Sequence, residues 1–195
     1  MTFRIEEKII LQNNDKINLK KWLINNKYRK LYPKRKIHSL YFDNYSRAMY
    51  NDSEEGCIPR KKIRIRNYPN IETSENNLEI KTSSVEGRFK TSKKINDYIY
   101  KKYLNFGYFD KYYGICKPIR LIEYEREYFS NNFFRITIDS NINYSLFNSK
   151  IKFKDNFDVM EFKSDNLNLR TWIFENTHFT KSRFSKYCRS YFFIN

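Results

Sequence analysis

Hydrophobic and polar positions alternate with a period of two over much of this chain. On that pattern, residues 3–11, 36–43, 60–68, 78–82, 121–129, 133–139 and 157–163 read as strands, rich in Ile, Tyr, Phe and Val. Shorter candidates lie near residues 87–90, 144–152 and 183–189. A helical period appears in fewer places. Asn18 to Tyr28 sets Leu19, Trp22, Leu23 and Ile24 on one side, with Asn18 as cap. Ser92 to Phe106 groups Ile95, Ile99, Tyr103 and Phe106, and Gly107 follows as a stop. Residues 167–176 form a third candidate, and residues 45–54 a short helix after the Asp43-Asn44 turn signal. No repeat or low-complexity linker divides the chain. The expectation is one α+β domain over residues 1–195, dominated by antiparallel strands.

The placement of charge on those strands is informative, because residues i, i+2 and i+4 share a face. One face groups Arg4, Glu6 and Lys8. Another groups Arg60, Lys62, Arg64 and Arg66, with Ile63 and Ile65 opposite. Glu79 and Lys81 share a face, as do Arg135, Thr137 and Asp139, and Val159, Glu161 and Lys163. A solvated outer face is the ordinary explanation for any one such strand. Here the faces are mostly cationic, and like charges on neighbouring strands repel. A closed barrel with helices outside and cations inside satisfies both faces, provided that water or a polyanion fills the interior. Spaced Arg and Lys suit repeating phosphates. The interleaved Glu6, Glu79 and Glu161 suggest a bridging Mg²⁺ or Mn²⁺, although each could simply pair with neighbouring cations.

Composition agrees with an anionic partner. The 195 residues carry 38 Lys and Arg against 22 Asp and Glu, a formal net charge of +16. With 17 Phe and 17 Tyr the chain can build a core despite a mean hydropathy of −0.83. Cys57, Cys116 and Cys188 form no CxxC pair, and His38 and His178 are the only histidines, which argues against a disulfide framework or a zinc site. The same cysteine usage, no secretory signal and no apolar run of membrane-spanning length predict a cytoplasmic protein without a transmembrane segment. There is no P-loop or GxGxxG. Nucleic-acid binders more often gather cations on a helix, loop or tail; the nearest such block, Lys34-Arg35-Lys36, reads as a solvated turn, so no nucleic-acid partner is expected.

Nine segments in order carry a family resemblance. They are Arg4-x-Glu6-x-Lys8, Ser39-Leu40-Tyr41-Phe42-Asp43, Arg60 to Arg66, Leu78-Glu79-Ile80-Lys81, Arg88-Phe89-Lys90, Tyr124-Glu125-Arg126-x-Tyr128, Phe134 to Asp139, Met160-Glu161-Phe162-Lys163 and Arg183 to Tyr187. Over nearly its whole length the chain resembles the catalytic domain of the vacuolar transporter chaperone (VTC) complex, a polyphosphate polymerase among the triphosphate tunnel metalloenzymes.

The resemblance implies a closed antiparallel barrel forming a tunnel, and transfer of the ATP γ-phosphate onto a growing polyphosphate chain with release of ADP. By matching motif, Lys8, Arg64, Arg66, Lys81, Lys90, Arg126, Arg135 and Lys186 would act on the phosphates, with Arg4, Arg60, Lys62, Arg88, Lys163 and Arg183 as further phosphate ligands. Glu161 matches the family's metal-binding glutamate, and Glu6 and Glu79 are further metal candidates, for Mn²⁺ or Mg²⁺. Arg183 stands where the family often has Lys. ATP and polyphosphate or triphosphate are the implied partners. Without the inositol-pyrophosphate-sensing and membrane domains of the fungal complexes, regulation or translocation would need other proteins, a membrane protein among them. Hydrolysis of tripolyphosphate or a nucleoside triphosphate, and non-catalytic polyphosphate binding, are the alternatives; hydrolytic relatives typically begin Glu-x-Glu-x-Lys, where this chain has Arg4.

Overall fold

The computed structural model describes residues 5–73, 75–164, 169–177 and 179–194. In chain order the elements are β1 (Ile5–Leu11), α1 (Asn13–Asn25), β2 (Arg29–Asp43), α2 (Ala48–Glu55), β3 (Arg60–Asn67), β4 (Asn76–Ser84), β5 (Gly87–Ile95), α3 (Asp97–Phe106), β6 (Tyr108–Asp110), β7 (Gly114–Ser130), β8 (Arg135–Leu146), β9 (Phe153–Lys154), β10 (Asp158–Ser164), α4 (Leu169–Asn176) and α5 (Lys186–Phe193). The strands hydrogen-bond in the order β1-β10-β8-β7-β2-β3-β4-β5, with β6 against β7 and β9 against β8. The expected mostly antiparallel α+β fold is present. The expected closure of the barrel is not. The path ends at β1 and β5, and no pairing joins these two strands among the described residues. Strand β5 carries Arg88, Lys90, Lys93 and Lys94. An edge so rich in cations resists the addition of another strand.

The chain packs as two compact units: Met1–Arg35, Tyr124–Ile142 and Lys154–Phe184 form the first, and Lys36–Glu123, Asn143–Phe153 and Ser185–Asn195 the second. In the first unit, Ile9 and Leu11 of β1, Met160 and Phe162 of β10, and Ile136 and Ile138 of β8 gather in one core. Leu19 and Leu23 of α1 and Leu169 and Ile173 of α4 join them, each buried side chain worth roughly 1.5–3 kcal/mol. Trp22 stacks on Tyr28 at 5.4 Å and meets Phe162 and Phe179 edge-on. Helix α1 starts five residues before the expected Asn18. Asp15 accepts the Gln12 amide at 2.9 Å, the backward half of a capping box.

In the second unit the apolar side of the sheet is set by register. Leu40 lies opposite Ile65, which faces Leu78, and Phe42 lies opposite Ile63, which faces Ile80. Three expectations change here. The helix expected over residues 92–106 is split: β5 runs on through Ile95, and Asn96 caps α3 by accepting the Ile99 amide at 2.9 Å. The strand expected at residues 183–189 ends instead in α5, capped by Ser185. Tyr187, Cys188, Tyr191 and Ile194 recur at helical spacing, and that period extends past the short segment read as alternating. The expected strand at residues 144–152 is the end of β8, which stops at Leu146.

Candidate phosphate-binding strand faces

The opposite face of the second unit's sheet is polar and built in rows. Tyr41, Arg64, Glu79 and Ser92 lie in register, as do Lys62, Lys81 and Lys90, and beyond them Arg60, Ser83 and Arg88. Three lysines directly opposite one another on adjacent strands repel, so the row needs an anion. Glu79 supplies one. Its buried carboxylate accepts Arg64 Nη2 at 2.6 Å and Arg64 Nε at 2.8 Å, receives Lys90 Nζ at 2.5 Å on the other oxygen, and lies 3.6 Å from Arg66 Nη1. Burial alone would raise its pKa. Arg64, Arg66 and Lys90 outweigh that and hold the carboxyl far below the usual range. One carboxylate thus gathers three cations, and this cluster is net positive.

The cluster is braced from beneath. Arg64 Nη1 donates to Tyr41 Oη at 2.8 Å, and Arg66 Nε reaches Ser39 Oγ at 3.4 Å. Tyr41 stacks on Tyr187 of α5 at 5.0 Å. Tyr187 Oη donates to Asp43 Oδ2 at 2.5 Å, and the same carboxylate accepts the Asn44, Met49 and Tyr50 amides at 2.8–3.0 Å. Burial raises the Asp43 pKa despite these bonds. Lys62 Nζ donates to Ser185 Oγ at 2.9 Å. Helix α5 therefore packs on the charged side of the sheet, where all helices had been expected on the apolar side. Lys186 opens α5 and is half-buried. Arg60 is placed differently from the expectation: its Nη1 donates to the carbonyls of Gly56 and Cys57.

The first unit repeats the plan with more carboxylates. Glu6, Lys163 and Arg135 form one cross-strand row; Lys8, Glu161 and Thr137 the next; Ile10, Val159 and Asp139 the third. Arg126 is buried and grips Asp139 with two bonds, Nε to Oδ1 at 2.5 Å and Nη2 to Oδ2 at 2.7 Å. Burial opposes its charge, but Asp139 and Glu161 fix it as a cation. Glu161 Oε2 lies 4.0 Å from Arg126 Nη2 and 3.7 Å from Lys163 Nζ. Lys8 Nζ donates to the Phe184 carbonyl at 2.8 Å. Thr137 Oγ1 is buried with no hydrogen-bond partner among the described residues, directly opposite Glu161. Arg183 is exposed, and Arg4 lies outside the described residues.

The three glutamates differ as metal ligands. Glu79 does not fit a divalent cation, because its two oxygens are engaged by Arg64 and Lys90. Glu161 and Glu6 share one face and sit on diagonal positions of β10 and β1. Among the described residues no three His, Cys, Asp or Glu side chains converge. These two glutamates therefore fit only a metal that brings most of its ligands with it, as Mg²⁺ does when bound to phosphates. The orphaned Thr137 hydroxyl beside Glu161 is consistent with a phosphate or metal-borne water at that point.

On the sequence, Tyr41 stood in a matching motif, Asp43 also in a turn signal and Asp139 also on the strand face of Arg135 and Thr137, and none of the three had a role at the site. Each is an aromatic or acidic residue on a charged strand face, which was the available signal. Ser185 and Tyr187 were hidden by the strand reading.

Solved structures share the fold. A candidate adenylate cyclase of Bacillus halodurans superposes with a TM-score of 0.61 at 15% identity, covering 90% of this chain and 88% of that one. A candidate adenylate cyclase of Vibrio parahaemolyticus gives 0.57 at 16% identity, over 94% of this chain and 95% of the other. The PH1819 protein of Pyrococcus horikoshii gives 0.51 at 17%, over 89% and 83%. No curated protein matches the sequence. The shared fold defines the class, a mostly antiparallel α+β sheet, here with cationic strand faces. Within that class the match to the VTC domain covers residues 3–195, and the chain belongs to that family.

Proposed function

We propose that this domain is a polyphosphate polymerase, which moves the ATP γ-phosphate onto a growing polyphosphate chain and releases ADP. The observation that carries the reading is the in-register row Lys62, Lys81 and Lys90 beside the Glu79-centred cluster of Arg64 and Arg66. Such spacing suits a linear polyanion with a charge at each unit, and the arginines offer planar forks for individual phosphates. Phosphoryl transfer asks the protein for positioning and charge neutralisation more than for a covalent nucleophile.

In the second unit, Lys62, Lys81 and Lys90 hold the phosphate chain, while Glu79, Tyr41 and Ser39 fix the guanidinium orientations. In the first unit, Arg126, locked by Asp139, presents a rigid fork, and Lys8, Lys163 and Arg135 supply further charge. Glu161, with Glu6, would hold Mn²⁺ or Mg²⁺; when bound, the ion offsets charge on the transferring phosphoryl group.

The test is product analysis. Pure protein with ATP and Mn²⁺ is expected to release ADP in step with long acid-labile phosphate chains. Free phosphate without chains would replace the polymerase with a hydrolase. Neither product, with tight polyphosphate binding, would leave a binding module.

A further inference from the structure

We propose that the face formed by α3, β6 and the start of β7 in the second unit docks on an anionic lipid bilayer. The turn of the β6–β7 hairpin is included in that face. Helix α3 turns Ile99, Tyr100, Tyr103 and Leu104 partly inward, with Tyr103 edge-on to Tyr108 at 5.5 Å. Its other side carries Tyr98, Lys101, Lys102, Asn105 and Phe106, all exposed. In the hairpin, Phe109 lies directly opposite Ile115, and the two are 71% and 60% exposed.

These groups are one surface. Lys117, on the same side of β7 as Ile115, donates from Nζ to the Asn105 carbonyl at 2.7 Å. A Cβ at Gly107 would lie 3.1 Å from Ile115 Cγ2, so Ile115 rests against the turn that follows Phe106. The same Cβ would lie 2.6 Å from the Cys116 carbonyl oxygen, and φ is +86°, so the junction requires glycine. At the hairpin turn, Tyr112 is 66% exposed with Lys111 Nζ 5.0 Å above its ring.

The charge is one-sided. Between residues 97 and 117 the acids are Asp97 and Asp110, and Asp110 is buried against Lys61 at 2.6 Å. Lys101, Lys102, Lys111 and Lys117 remain on the outside. Exposed Phe and Ile amid long lysines match the bilayer interface, where rings and aliphatic groups enter the acyl boundary and ammonium groups stay with anionic headgroups. Nucleic acid fits less well. This stretch has no Arg, and Ile115, at the centre of the apolar group, offers a base nothing to stack on. The proposal does not depend on the polymerase reading.

The experiment is co-sedimentation of the whole chain with phosphatidylcholine vesicles, with and without phosphatidylserine. Binding is expected only with phosphatidylserine. The pair Phe109→Ser with Ile115→Ser, and separately Lys101→Glu with Lys102→Glu, should each weaken it by about tenfold or more while tripolyphosphate affinity stays unchanged. A Phe109→Trp variant should gain fluorescence that acyl-chain bromine quenches. Vesicle binding untouched by both double variants, or displaced by tripolyphosphate, would assign it to the cationic strand faces and overturn the proposal. So would sedimentation without quenching, or single-stranded RNA binding lost in the same variants without any vesicle binding.

Discussion

At the scale of single residues, few carboxylates manage many cations. Glu79→Gln would leave Arg64, Arg66 and Lys90 without their anion, a loss of roughly 3–5 kcal/mol by analogy with broken buried ion pairs. Tripolyphosphate should restore much of it in a denaturant titration. The pH dependence has a definite sign. The native pKa of Glu79 lies far below its ordinary value of about 4.5, so its stabilisation is full above that value and fades as pH falls toward the native one. Glu79→Gln should flatten this acid limb of the stability profile; an unchanged limb would contradict the ion cluster. Thr137→Val tests the orphaned hydroxyl: stability should hold or rise by about 1 kcal/mol, with weaker tripolyphosphate binding. Much of this chemistry was legible, because strand parity put Arg64 and Arg66, and Glu79 and Lys81, on common faces. What parity cannot reveal is the rotamer. Arg60 has the right parity, yet its guanidinium turns to two backbone carbonyls.

At the scale of elements, α5 is the piece that the alternation concealed. Its first residues mimic a strand, and only the recurrence of Tyr187 and Tyr191 beyond the segment declares a helix. Tyr187→Phe removes the donor to Asp43, which binds α5 to the start of α2, and should cost about 1–3 kcal/mol in chemical denaturation. Because Ser185 at the head of α5 accepts Lys62, the same variant should also lower tripolyphosphate affinity, whereas a purely structural Tyr187 would leave it unmoved. Strand β2 was expected to begin at Lys36 and begins at Arg29. The first six residues of β2 are exposed, so no burial pattern marks them; Lys30 and Lys34 pair across to Glu127 and Glu125 instead. Thiol chemistry offers a further check on packing. Cys57 is exposed, Cys188 is buried, and burial pushes the Cys116 thiol up to about 12. One thiol per chain should react readily with a maleimide in the native state, and three after unfolding.

At the scale of the whole molecule, net charge and sheet topology together support the proposed substrate class better than either alone. A charge of +16 would suit any polyanion. Cations held in register by strands suit the linear one proposed above. No described helix is long and apolar enough to cross a membrane. The antiparallel α+β class was readable because apolar and polar positions alternate along strands such as β3 and β8. The open path was not, since closure depends on whether two edge strands find each other, and the lysines of β5 are equally compatible with a lined interior or a guarded edge. Calorimetric titration of tripolyphosphate into the whole chain and into Lys81→Ala decides whether phosphate chains bind this strand face. Tight, salt-sensitive binding that falls about tenfold or more in the variant is the expected result. Absent binding, or binding indifferent to Lys81, would contradict the assignment of phosphate chains to this strand face.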